Sequence, residues 1–321
     1  MKATKKYELT NKTIEFNGIT LHRIKALKNF SNVKAGDFGG WVEKEDNLSQ
    51  IGNAWIGGYA KVCKNAKVYG DAQVYGDAIV SYNAKVFGNA WVFGNAQVYG
   101  DAIVSYNAEV FGDAKVFGNA QVGGNAKVSD NAEIFENAEV FGDAEVYDDA
   151  KVYGFAEIYR NAKVFSNARV FGNAEVYDNA EVYGNTFVYG NAKVYCDAEV
   201  HGNAKVYGYA RVYGSAEIYR NAKVYGNAEV YGDAHICDNA WVFGNAEVFG
   251  NAEVYDNAEV YGNTFVYGNA KVYCDAEVHG NANVYDNAWV YGKSKVYGNA
   301  RICNNAKVCD NAYNTKNKDE E

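Results

Sequence analysis

The sequence predicts an all-β chain in which short parallel strands coil into a solenoid, and three observations carry that reading. Val or Ile occupies every sixth position from Ile56 to Val308 without exception, which makes 43 units. In the same register, 41 of the 44 positions from Ala54 to Ala312 are Ala, and the other three are Thr186, Thr264 and Ser294. The chain holds 33 Gly and no Pro in 321 residues, where average usage of about 5% would supply roughly 16 prolines. One rule therefore writes most of the chain.

The repeating unit reads Val-Tyr-Gly-Asn-Ala-x, as from Val176 onward. The spacing Ala, x, Val, Tyr has period two, which sends Ala and Val to one side of a strand and x and Tyr to the other. The Gly-Asn or Gly-Asp pair that follows supplies residues tolerant of positive φ, as a sharp corner requires. A helix is excluded, because six matches neither 3.6 nor 3.5 residues, and recurring glycines would each cost about 1 kcal/mol. A single coil cannot bury its own Val, so stability must come from stacking on neighbours. No insertion interrupts the repeat, so no loop is expected to leave this body.

The first fifty residues follow another pattern. Ile14-Glu15-Phe16-Asn17-Gly18-Ile19-Thr20-Leu21 alternates on both sides of Asn-Gly, the signature of a type I′ hairpin. The expected organisation is an N-terminal β cap over 1–47, the repeat body over 48–312 and a polar C-terminal tail over 313–321. The cap would cover the strand edges and apolar end of the first coil.

An aliphatic residue followed four positions later by a small one, as in Val176 with Ala180 and Val188 with Ala192, resembles the hexapeptide-repeat left-handed parallel β-helix proteins. That resemblance implies the left hand, a triangular coil of three hexads and about 14 coils, hence a rod of roughly 65 to 70 Å at about 4.8 Å per layer. The stretch Val33-Lys34-Ala35-Gly36-Asp37-Phe38-Gly39-Gly40-Trp41-Val42, with Asn47-Leu48-Ser49-Gln50 after it, resembles the entry segment of YdcK-like hexapeptide proteins and their phage and prophage relatives. Those proteins are often labelled transferases, so the resemblance implies an acyltransferase as one alternative.

The position after Val is Tyr or Phe in 32 of 43 units, so aromatic ladders are expected along the coils. The ladder through Tyr159, Tyr177, Tyr195, Tyr213, Tyr231, Phe249 and Tyr267 is the candidate binding surface. Its rings either pack on one another or leave an apolar stripe large enough to mark an interface. Outside the first fifty residues the chain has 22 basic and 34 acidic residues, which disfavours a nucleic-acid partner. No run reaches the roughly 20 apolar residues of a membrane helix. His201 and His279 take the aromatic phase, and His235 lies two residues before Cys237 on one strand face, a pairing without an evident third metal ligand. Cys303 and Cys309, one hexad apart, fall on different sides, too far for a disulfide, and reduced thiols fit a cytoplasmic location. No cofactor, metal site or catalytic residue is expected.

Val170 to Ala204 is identical to Val248 to Ala282, an offset of 78 residues. Because 78 is not a multiple of 18, the copies land on different faces of a three-sided coil, which would scramble face-specific chemistry. The leading expectation is a non-enzymatic structural, scaffold or self-assembling protein with its own copies as partner, as a trimer or end to end. A ligand-sequestering oligomer that uses aromatic ladders and intersubunit grooves is the alternative.

Overall fold

The computed structural model describes residues 5–310 and the backbone of 312–313. It is an all-β parallel solenoid of about 15 turns, preceded by an antiparallel hairpin. Two compact units divide it, Met1–Arg160 and Asn161–Glu321. Of the tail expected over 313–321, only the backbone of Tyr313 falls among the described residues.

Each unit follows the same local rule. Nearly every hexad forms a strand of two residues, x and Val, and each strand pairs in parallel with the strand 18 residues on. Lys115–Val116 pairs with Glu133–Ile134 in the first unit, and Glu199–Val200 with Glu217–Ile218 in the second. Three strands therefore complete one turn. Val and Ala point inward and are buried through both units up to the last turn, where Ala306 is exposed. The two Thr and one Ser that replace Ala are equally buried. Each hydroxyl donates to the carbonyl three residues back, at 2.6 Å for Thr186 to Tyr183 and for Thr264 to Tyr261 and at 2.5 Å for Ser294 to Tyr291. The substitution thus adds a polar group with a partner, as a buried hydroxyl requires.

The corner differs from the expectation in one respect. Only the first residue of the Gly-Asn pair takes positive φ, near +75° at Gly208, and where Gly is replaced the substitute takes it, as at Asp178 and Asp256. The Asn or Asp that follows works by hydrogen bonding instead, as described below.

Outside the paired strand residues, backbone hydrogen bonds between turns share one direction. Glu199, His201 and Asn203 donate their N–H groups to the carbonyls of Ala216, Ile218 and Arg220 at 3.0, 2.9 and 2.6 Å. At these positions each turn donates to the following one, so the corresponding carbonyls of the earliest turn need donors from the cap.

Strand β1 (Tyr7–Phe16) and strand β2 (Ile19–Ala26) form the expected hairpin, with Phe16 opposite Ile19 and both Asn17 and Gly18 at positive φ, as a type I′ turn demands. Strand β3 (Phe38–Val42) pairs antiparallel with β2 on one side and parallel with Lys61–Val62 on the other. The solenoid therefore reaches into the segment before residue 48. Gly39 and Gly40 permit this approach, since a Cβ at either would lie 2.5 Å from the carbonyl oxygen of Ile56 or Ala60.

The cap supplies the missing donors. Trp41 N–H donates to Ala60 O at 2.9 Å, and the Asn47 side-chain amide donates to Lys64 O and Ala66 O at 3.1 and 2.9 Å. The Lys6 ammonium donates to Ala54 O at 2.8 Å and lies 5.2 Å from the Phe30 ring centre. Burial of Lys6 lowers its pKa to about 8. The Tyr7 hydroxyl, 2.8 and 2.7 Å from the carbonyls of Glu45 and Leu48, fastens β1 to the first turn.

Val188→Asp would place a carboxylate among wholly buried Val side chains and is expected to cost several kcal/mol, about 3 or more. His201→Ala removes one ring from a partly exposed stack and is expected to cost about 1 kcal/mol. Urea unfolding followed by circular dichroism checks both, and equal losses would contradict the inward assignment of Val.

Candidate functional site

Because successive turns are in 18-residue register, each outward side chain lies beside its counterpart one turn away, and three kinds of ladder result. In the aromatic ladder of the second unit, ring centres from Tyr177 through Tyr195, Tyr213, Tyr231, Phe249 and Tyr267 to Tyr285 are 4.8 to 5.0 Å apart, with planes within 8° of parallel. Such spacing with nearly parallel planes is offset stacking. The ring faces are covered by neighbouring rings, while edges and hydroxyls remain half-exposed. Of the expected binding residues, Tyr177, Tyr195, Tyr213, Tyr231, Phe249 and Tyr267 share this ladder. Tyr159 lies in the first unit, where it lines a shallow depression of about 190 Å³ with Phe141 and Glu139. A planar ligand could enter between the stacked rings only by parting two hydrogen-bonded turns, so the accessible chemistry of this ladder is at its edges.

Several ring hydroxyls donate to carboxylates of the following turn: Tyr183 to Glu199 at 2.9 Å, Tyr213 to Glu229 at 3.1 Å and Tyr231 to Glu247 at 3.1 Å. Burial first, and the neighbouring carboxylates second, push Tyr183 and Tyr231 up to about 12. Burial likewise raises Tyr195, Tyr207 and Tyr255 to about 12.

A second ladder runs along the corners, where the sequence pattern predicts only turn residues. The Asn185, Asn203, Asn221, Asn239 and Asn257 side chains each donate to the residue 18 positions on, at 3.0 to 3.3 Å, and the run ends at Asp275. An ionised Asp accepts but has no proton to donate. The third ladder is charged: Glu133 lies between Lys115 and Lys151 at 3.2 and 2.8 Å, and Lys271 pairs with Glu253 at 2.8 Å. The hydrogen bond from Lys151 is the chief reason Glu133 titrates below the usual carboxylate range.

The ladders break where the ring position holds a small residue, and the breaks are filled differently. At Gly57 and Gly123 the next ring leans back, so a Cβ there would lie 2.3 Å from Tyr75 Cε1 and 2.5 Å from Phe141 Cε1. At Cys237 a groove of about 400 Å³ opens between Tyr219 and Tyr255. Here His235 sets its ring edge against Tyr219, with centres 6.5 Å apart, and brings Nδ1 to 3.4 Å from Glu217. Arg220 is paired with Asp238 at the rim. The Cys237 thiol contacts Asp238 at 3.4 Å, and burial pushes it up to about 11, which keeps it protonated and weakly nucleophilic at neutral pH. His235 and Cys237 both line this groove, but their contacts are with Tyr219, Glu217 and Asp238, one turn away or at the corner. No group of three or more His, Cys, Asp or Glu side chains suited to a metal occurs among the described residues, and the six cysteines form no disulfide. His201 and His279 are ladder rungs: His201 stacks between Tyr183 and Tyr219 at 4.8 and 5.3 Å, and His279 between Tyr261 and Tyr297 at 4.9 and 5.5 Å.

No protein-family model matches the chain, and comparison with curated proteins returns no match. Among the described residues no helix is long and apolar enough to cross a membrane.

Tyrosines whose folded midpoint is about 12 against an ordinary 10 hold more protons folded than unfolded between those values. Their contribution to stability is therefore complete below pH 10 and is lost as pH rises through 12. Phenolate absorbance is expected to appear late and together with loss of the β circular-dichroism signal. Titration of all tyrosines near pH 10 with the fold intact would contradict the stacked, carboxylate-flanked geometry.

Proposed function

We propose that this chain is a non-enzymatic structural or scaffold protein that associates with its own copies, acts in the cytoplasm and belongs among hexapeptide-repeat proteins of the phage and prophage type. The observation that carries the proposal is the use made of outward side chains in each unit. Rings stack on rings, corner amides bond to corner amides, and lysines pair with glutamates one turn away. Side chains that could bind or catalyse are thereby committed to holding successive turns in register. The Cys237 thiol, held at about 11, is likewise unsuited to attack at neutral pH.

Self-association is supported by the half-exposed ring edges, which repeat every 4.8 to 5.0 Å along the Tyr177 to Tyr285 ladder. A row of identical amphipathic edges is complementary to another such row, and aromatic residues are enriched at interface cores.

Light scattering across a dilution series is expected to give a mass that is a multiple of 35.3 kDa and falls toward that value on dilution. A monomer at every concentration would remove the assembly part of the proposal. Calorimetric titration with acetyl-CoA is expected to give no binding heat, and saturable binding would favour the transferase alternative.

A further inference from the structure

We infer that the first unit carries a binding site for a small planar aromatic carboxylate, in a cavity of about 420 Å³ between the tip of the β1–β2 hairpin and the solenoid face beneath it. The inference rests on one break in an aromatic ladder that is not filled from within. On this face the rungs Tyr99, Phe117, Phe135 and Tyr153 stack at 4.8 to 5.0 Å. The preceding ring positions are Ser81 and Cys63. The hairpin occupies the Cys63 level, where Phe16 and Ile19 pack against the cluster of Leu21, Trp41 and Cys63. At the Ser81 level the cavity is lined by Phe16, Ile19, Ile79, Ser81, Gln97 and Tyr99, with Lys64 and Tyr82 at its rim.

Tyr99 does not lean back into this space, as Tyr75 and Phe141 do at Gly57 and Gly123. It keeps its stack on Phe117, with planes 4° apart and centres at 4.9 Å. A ligand ring at the Ser81 level would meet Tyr99 in the same offset geometry, with Phe16 and Ile19 on its far side. The cavity thus combines apolar walls with a few polar groups, as small-molecule sites do. The Ser81 hydroxyl and the Gln97 carboxamide make no side-chain hydrogen bond among the described residues, so both are available to a ligand. At the rim, the Lys64 ammonium lies 3.3 Å from the centre of the exposed Tyr82 ring and supplies positive charge for a carboxylate.

Calorimetric or NMR titration of the full chain with indole-3-carboxylate tests this. The expected Kd is on the order of 0.1–1 mM for a ligand of this size. Ser81→Tyr restores the ring found at most equivalent positions, so it is expected to keep the fold and weaken binding at least about tenfold by filling the cavity. Tyr99→Leu, which removes the platform, is expected to weaken binding similarly, whereas Ser105→Tyr on another face leaves it unchanged. No saturable binding by the natural chain, undiminished binding by Ser81→Tyr or Tyr99→Leu, or equal binding of cyclohexanecarboxylate would overturn the inference. None of these outcomes depends on whether the chain self-associates.

Discussion

Burial of Val and Ala in an unbroken six-residue alternation is the constraint on which the rest of the structure depends. The inward pair is wholly buried in nearly every hexad, and three hexads close a turn, so an insertion of even one residue would rotate every later side chain out of phase. Once that interior fixes the 18-residue register, the outward positions have no freedom of alignment. Like side chains are brought to one strand spacing whether or not they attract. The sequence exploits this by placing at each phase a residue that tolerates its own kind: rings that stack, amides that both donate and accept, and charges that alternate often enough to pair.

The shared direction of the bonds donated from the corners and strand ends gives each unit a polarity, and that polarity explains the composition of the cap. The earliest turn presents carbonyls, so the segment over it is rich in donors placed against them: the Lys6 ammonium, the Asn47 amide and the N–H groups of β3. A buried lysine is expensive in most folds. Here its protons meet the acceptors that a preceding turn would otherwise have satisfied, and its lowered pKa records the residual cost of burial.

The fold was legible because its cause is local. Two inward residues, two outward residues and a corner can be read from any six positions, and the Asn17-Gly18 turn from eight. What was not legible depends on neighbours a full turn or more away. The corner asparagines read as turn formers, since nothing within one hexad shows that Asn239 meets Asn257. The His235 and Cys237 pairing was visible along the chain, but Glu217 and Arg220, which engage that neighbourhood, stand in the preceding turn. The cavity at Ser81 required knowing where the hairpin lies, a relation between residues more than sixty positions apart. Even so, Ser81 stands in a phase that holds Tyr or Phe in 32 of 43 units.

The corner amides also bear on how the protein ages. Hydrolysis of one such amide to a carboxylate leaves its role as acceptor intact but abolishes its role as donor. The bond received from the preceding turn survives, and the bond given to the following turn is lost. Chemical damage at a corner would therefore loosen only one of its two flanking seams, and always the one toward the C-terminus.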